Sequence, residues 1–307
     1  MRIAVPDLIS PSYFPAIAAV DLGIAAEEGL ELDLELLFPV TTAMQALRDG
    51  RLDFVAGAAH ATLTAFPRWR GVKLLAALAR HMYWFLVLRS DLGATRGDIA
   101  AVKGLRIGAA PGVDLGLRAM LREAGIDPAR DRVQIGPVPG AVGDTVSFGV
   151  TAARALEEGL LDGFWANGMG AEVAVRRGTG TVVVDVRRGD GPAAARDFTF
   201  PALVATDETI ARKPDAAAAA IRAVVRTQRW LREAPERASE VGRRLFPPEE
   251  AELISELVAR DAPFYDPVIT PATVTRMNAF AMSVDLLPER VSYEQVVATG
   301  LAHLWQG

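Results

Sequence analysis

The 307-residue chain contains no cysteine. That absence excludes a disulfide framework, cysteine-ligated zinc, an iron–sulfur cluster and any thiol nucleophile. Histidine is scarce too: His60, His81 and His303 are the full set, and none has the HxxxH or HExxH spacing of a metal site. Neither a metal nor another cofactor is expected. No window holds the roughly 18 charge-free apolar residues that a spanning helix needs, so alanine supplies the mean hydropathy of +0.20. The chain opens Met1-Arg2-Ile3 straight into a strand-like run, without a basic n-region, an apolar h-region or a lipobox cysteine. The expectation is either work in the cytoplasm or an export signal outside this chain. Lys and Arg are scattered, and 33 of them against 38 Asp and Glu give a net charge of -5. That is not the footprint of a nucleic-acid partner.

What is present is a globular composition, 50% hydrophobic and 23% charged, in a chain long enough for about two domains. Short apolar runs alternate with amphipathic stretches. Strands are expected at Ile3 to Val5, Leu30 to Phe38, Phe54 to Gly57, Leu74 to Leu78 and Trp84 to Arg89. Thr41-Thr42 offers an N-cap for a helix through Arg48. A second series starts at Arg106-Ile107-Gly108, continues with a helix from Asp114 to Ala124 and a strand from Val133 to Val138, and so repeats the order of the first. Within it, Ala155-Leu156-Glu157-Glu158-Gly159-Leu160-Leu161-Asp162 matches Ala46-Leu47-Arg48-Asp49-Gly50-Arg51-Leu52-Asp53 at Ala, Leu, Gly, Leu and Asp. Two similar α/β lobes follow, each a mostly parallel sheet flanked by helices.

From Asp215 to Trp305 only helices are read: Asp215 to Glu233, Pro248 to Arg260, Thr273 to Asp285 and Ser292 to Leu304. They are expected to wrap the first lobe after the chain returns from the second. Lobe one is then residues 1–89 and 201–307, and lobe two is 90–200, with crossings near Leu88 to Leu92 and Phe198 to Leu203. Two extended crossings make a hinge, and the cleft lies beyond the carboxyl ends of the strands.

That rule selects Ser10 to Phe14, Val40 to Thr42, Ala58 to His60, His81 to Trp84, Pro111 to Asp114, Gly140 to Asp144, Trp165 to Asn167 and Phe198 to Phe200. The ligand-binding candidates are Ser12, Tyr13, Thr41, Thr42, His60, His81, Tyr83, Trp84, Asp114, Trp165, Asn167 and Phe200. The aromatics among them are either stacking surfaces for an organic ligand or core filling beneath the loops. Thr41 and Thr42 either aim hydroxyls and free helix N–H groups at an anion or a carbonyl or simply cap. Asp114 is an N-cap or an acceptor for an amine, amide or hydroxyl. Asn167 brings both a donor and an acceptor to a strand end. His60 and His81 are loop polar residues or, in an enzyme, general bases. Gly140 to Asp144 lacks both GxGxxG and GKS/T, and reads as a cleft-edge loop rather than a phosphate cradle.

Tyr13-Phe14-Pro15-Ala16 followed by Asp21-Leu22-Gly23-Ile24-Ala25-Ala26-Glu27-Glu28-Gly29-Leu30 resembles the first helix of the substrate-binding proteins for nitrate, taurine, sulfonates and thiamine pyrimidine precursors. Val102-Lys103-Gly104-Leu105-Arg106-Ile107-Gly108, then Leu121 and Gly125-Ile126-Asp127-Pro128, resembles their entry into lobe two. The resemblance covers residues 1–230. It implies the type II periplasmic-binding fold with a discontinuous first lobe, hinge closure on a small, aromatic or heterocyclic ligand, and delivery to an ABC permease and ATPase. It also implies periplasmic residence, and a monomer is expected. Asp114 stands where anion binders of the family carry a small hydroxyl or Gly residue, which argues against an oxyanion. Related enzymes, the aromatic sulfinate desulfinases and the fungal thiamine-pyrimidine synthases, depend on cysteine, which this chain lacks. The enzyme alternative is a cytoplasmic relative acting on an aromatic or pyrimidine-like compound with His60 or His81 as base. A sensing domain of a regulator would need DNA-binding helices that are not read here.

Overall fold

The apolar run Ile3 to Val5 is buried in β1 (Arg2–Val5), a strand that pairs in parallel on both its sides in the first sheet. A computed structural model describes residues 1–142 and 147–306; within the expected loop at Gly140 to Asp144, Gly143 and Asp144 lie outside the described residues. After β1 come α1 (Phe14–Asp21), α2 (Ile24–Glu27), β2 (Asp33–Leu36), α3 (Val40–Arg48), β3 (Phe54–Ala58) and β4 (Val72–Ala77). The chain then forms β5 (Phe85–Arg89), β6 (Arg106–Ala109), α4 (Asp114–Glu123), β7 (Gln134–Gly136), α5 (Phe148–Glu157), β8 (Gly163–Ala166), α6 (Gly168–Arg176) and β9 (Gly180–Asp185). It returns through β10 (Pro201–Thr206) to α7 (Asp207–Arg212), α8 (Pro214–Glu233), α9 (Ala238–Leu245), α10 (Pro248–Asp261), α11 (Pro271–Ser283) and α12 (Tyr293–Val296).

Two five-stranded sheets result, in the orders β2-β1-β3-β10-β4 and β7-β6-β8-β5-β9. In each, one strand runs against the other four: β10 in the first and β5 in the second. These are the strands on which the chain arrives from the opposite sheet, so each crossing delivers the antiparallel member. The architecture is two-lobed α/β with a two-segment connection, as the repeat of elements indicated. The first crossing departs from the expected place, because Phe85 to Leu88 pair with Ala166 to Gly163 of β8 in the second sheet. The chain therefore changes sheets between Ala77 and Phe85, and not at Leu88 to Leu92. An all-apolar run such as Phe85-Leu86-Val87-Leu88 fits the middle of either sheet, and periodicity does not say which.

The repeated sequence pattern has a structural counterpart. Asp53 Oδ2 accepts the backbone N–H of Arg2 at 2.8 Å, and Asp162 Oδ2 accepts that of Arg106 at 2.9 Å. Each aspartate thus ties the start of one strand to the start of its neighbour. Gly50 and Gly159, at φ +70° and +72°, end the preceding helices in the left-handed conformation that glycine adopts without strain.

Alanines on the buried face of α8 let it lie close to α1, and Gln228 Nε2 donates to the carbonyls of Ala77 and Leu78 at 2.9 and 2.8 Å. This fastens α8 to the first crossing. The C-terminal helices do not stay on the first lobe alone, since α10 packs on α6. At its end, Asp261 accepts from Arg187 Nη1 and Arg188 Nη2, both at 2.8 Å. The expected helix from Ser292 to Leu304 is also corrected: only Tyr293–Val296 is α-helical, and Thr299–Gln306 is 3₁₀. Between them Val297 bridges to Leu74 and Ala298 N–H donates to the Leu74 carbonyl, so the sheet edge claims the backbone there.

Candidate functional site

Strand ends from both sheets converge on one cleft of about 390 Å³. The first sheet supplies Pro6 and Asp7 after β1, Phe38 after β2 and Val40 at the start of α3. From the second come Ala110 and Val113 after β6, Phe148 at the start of α5, and Ala166 with Asn167 at the end of β8. Tyr13, opening α1, and Tyr83 with Trp84, on the first crossing, complete the walls.

Asp7 is buried at the centre and joins the lobes. Its Oδ2 accepts from Asn167 Nδ2 at 2.8 Å, Phe148 N–H at 3.1 Å and Ser147 Oγ at 3.3 Å, while Oδ1 accepts from Ile9 N–H at 2.9 Å. The N-terminus of α5 therefore points at the carboxylate and favours its charge. Burial nevertheless outweighs these contacts and pushes the carboxyl up to about 6. Asp7 was not among the sequence candidates. It lies two residues beyond Val5 and just before the Ser10 to Phe14 window, so opening that window at the strand end itself would have included it.

Aromatic rings form most of the rest. The hydroxyls of Tyr13 and Tyr83 hydrogen-bond to each other at 2.5 Å, and their rings meet edge-on at 5.6 Å. Burial raises both phenols above the ordinary tyrosine value. Trp84 touches Tyr83 with ring centroids 5.0 Å apart and backs onto Trp165 at 5.9 Å. Phe38 and Phe148, one from each lobe, stack at 5.6 Å with an interplanar angle of 17°. Neither phenylalanine was singled out in the sequence.

Of the twelve sequence candidates, the structure brings Tyr13, Tyr83, Trp84 and Asn167 into the cleft lining. Asn167 also caps α6, its Oδ1 accepting from Met169 and Gly170 N–H. Ser12 and Trp165 are buried against the cleft's surroundings and do not line it. Thr41 and Thr42 are not the cap of α3: Pro39 is, with no side-chain cap bond, and both threonines lie inside the first turn. Asp114 is taken by its own helix, accepting from Arg118 Nε at 3.0 Å and Gly112 N–H at 3.1 Å.

Neither His60 nor His81 lines the cleft, although His60 packs edge-on against Trp84 with ring centroids 5.9 Å apart. His60 is fully buried, with Nδ1 2.9 Å from Thr199 Oγ1 and Nε2 2.9 Å from the Gly112 carbonyl. A carbonyl only accepts, so Nε2 carries the proton and Nδ1 accepts from the threonine. Burial pushes His60 down to about 4, which keeps it neutral at pH 7. His81 and Phe200 line a second cavity of about 580 Å³ beside the crossings. There His81 Nδ1 lies 2.7 Å from Asp197, and that hydrogen bond is the main influence holding the aspartate below its ordinary value.

A family model described as NMT1/THI5 like matches residues 10–238. No curated protein matches the sequence. Among solved structures, a protein of Bordetella bronchiseptica RB50 is similar at 20% identity and a TM-score of 0.77, covering 98% of this chain and 95% of that one. The alkanesulfonate-binding protein SsuA from Xanthomonas axonopodis pv. citri, bound to MOPS, is similar at 13% identity and a TM-score of 0.72, covering 96% and 97%. The desulfurization enzyme DszB shares the fold as well, at 17% identity and a TM-score of 0.65 over 98% and 97%.

Proposed function

Because the chain belongs to the NMT1/THI5-like family, we propose that it is a solute-binding protein that captures a small organic ligand between its lobes and presents it to an ABC importer. The observation that carries this reading is the cleft itself. It is concave, walled by aromatic rings from both sheets, and oriented by the polar pair Asp7 and Asn167, which is the make-up of a small-molecule site. The similar SsuA structure, an alkanesulfonate-binding protein holding an organic buffer molecule, supports the same reading. On this proposal the two lobes of the chain, residues 1–84 with 201–307 and residues 85–200, turn about the two crossings. Ligand contacts made by both lobes favour the closed form, and a membrane permease recognises that form. In this reading the protein is a monomer and works in the periplasm, as do the periplasmic binding proteins whose structures it resembles.

Binding rather than turnover is supported by what lines the cleft. Among the described residues there, none is a cysteine, serine, lysine or histidine, and its titratable groups, Asp7 and the Tyr13–Tyr83 pair, are already hydrogen-bonded within the protein. His60 has both ring nitrogens engaged, and His81 faces the other cavity.

The test is mass spectrometry of small molecules released by denaturing the purified protein, followed by titration of each back into ligand-free protein. A released compound should bind one to one, raise Tm by several degrees, and reduce the radius of gyration in solution scattering. Absence of any compound that binds one to one and contracts the protein overturns the reading.

A further inference from the structure

We propose that the captured ligand is a small organic cation, held with its positive charge against Asp7 and inside the aromatic walls of the cleft. This rests on the reading of the cleft as a capture site and adds the chemistry of what enters it.

The first support is the charge inventory. Among the described residues lining the cleft, Asp7 is the one side chain that carries a charge at neutral pH. An oxyanion placed there would face a carboxylate with no lining cation to balance it. Behind the wall lies the buried guanidinium of Arg187, whose Nη1 is paired with Asp261 at 2.8 Å while its Nε and Nη2 have no hydrogen-bond partner among the described residues. It lies over the rings of Tyr83 and Phe264, 5.6 and 5.4 Å from their centroids, and it is not part of the lining.

The second support is the kind of wall. Tyr13, Phe38, Tyr83, Trp84 and Phe148 line one small space, and the Tyr83 ring already carries a cation, the Arg187 guanidinium, 5.6 Å from its centroid. Aromatic faces attract cations through the ring quadrupole, most strongly where water is excluded. A sulfonate or nitrate gains nothing from those faces.

The third support is the state of Asp7. Ser147, Phe148 and Asn167 donate to its Oδ2 and Ile9 to its Oδ1, and the backbone N–H of Gly149 also bears on the carboxylate. The protein's own contacts leave the ionised form under-compensated, since burial still holds the carboxyl up at about 6. A cation in the cleft completes that compensation.

The experiment is calorimetric titration of the full chain at pH 7.5 and fixed ionic strength with tetramethylammonium and benzylammonium, set against benzenesulfonate and nitrate. At least one cation should bind one to one, and neither anion should give heat. Asp7→Asn should weaken cation binding at least tenfold. Should that variant fail to fold, the wild-type protein supplies the second readout: a bound cation must lower the Asp7 carboxyl titration followed by carbon NMR. Binding of benzenesulfonate in place of either cation overturns the inference and leaves solute capture standing. Failure of both cations overturns it as well, and capture itself is then judged by the released-compound experiment. An Asp7 titration that does not move on cation binding places the cation elsewhere and has the same result.

Discussion

Asn167 donates its side-chain amide to Asp7 Oδ2 at 2.8 Å and so joins the end of β8 to the end of β1 across the cleft. The same residue caps α6 through its other side-chain atom. The two roles separate by substitution. Asn167→Ala loses both, at a cost of about 2–4 kcal/mol from a missing cap and a missing hydrogen bond to a charged group. Asn167→Asp keeps a good N-cap but sets a second carboxylate against Asp7. Urea unfolding should show the larger loss for Asn167→Ala. Solution scattering at pH 8 should show Asn167→Asp more expanded than wild type; equal radii would mean the pair does not hold the lobes together.

Asp7 and His60 should push stability in opposite directions with pH. Asp7 keeps its proton to about 6 in the fold and to 3.8 as an ordinary carboxyl, so over that window the folded chain binds more protons and stability falls as pH rises. His60 is pushed from 6.5 down to about 4, so the unfolded chain binds more protons between those values and stability rises with pH. Each effect is on the order of 3 kcal/mol when a shift of this size is taken at 1.36 kcal/mol per unit. Asp7→Asn should therefore expose the rising slope, and His60→Gln the falling one. Urea midpoints between pH 4 and 7 check this, and parallel profiles for all three proteins would contradict it.

Gly170→Ala tests how closely the two helices that carry cleft residues must approach. An added Cβ would stand 2.6 Å from the carbonyl carbon of Gly149, backbone against backbone between α5 and α6. No side chain is there to move aside. The helices must separate, displacing Phe148 and Asn167 at their N-termini, and the expected loss is about 3 kcal/mol together with weaker ligand binding. Chemical denaturation and the calorimetric titration measure the two effects separately.

Much of this arrangement was readable in the sequence because it depends on local pattern. The match of Ala46 to Asp53 with Ala155 to Asp162 foretold two similar lobes, and Asp53 and Asp162 make the same bond to Arg2 and Arg106. The rule that ligands meet strand ends found Tyr13, Tyr83, Trp84 and Asn167. What escaped depends on partners far along the chain. Asp7 gains its position from residues 140, 141 and 160 places away. His60 looked like a loop residue until Thr199, 139 positions on, engaged its ring. His81 and Phe200 do sit at strand ends, but on the crossings, where they face a different cavity. The sheet that β5 joins was likewise invisible, because an unbroken apolar strand satisfies either lobe.

The central claim is that ligand lies between the lobes at Asp7, and the most direct measurement is a crystal structure of the protein with a compound that it binds one to one. That compound should lie within contact of Asp7, Tyr83, Trp84 and Asn167, touching residues from both sheets. Density in the cavity beside His81 and Asp197, or on one lobe alone, would contradict it.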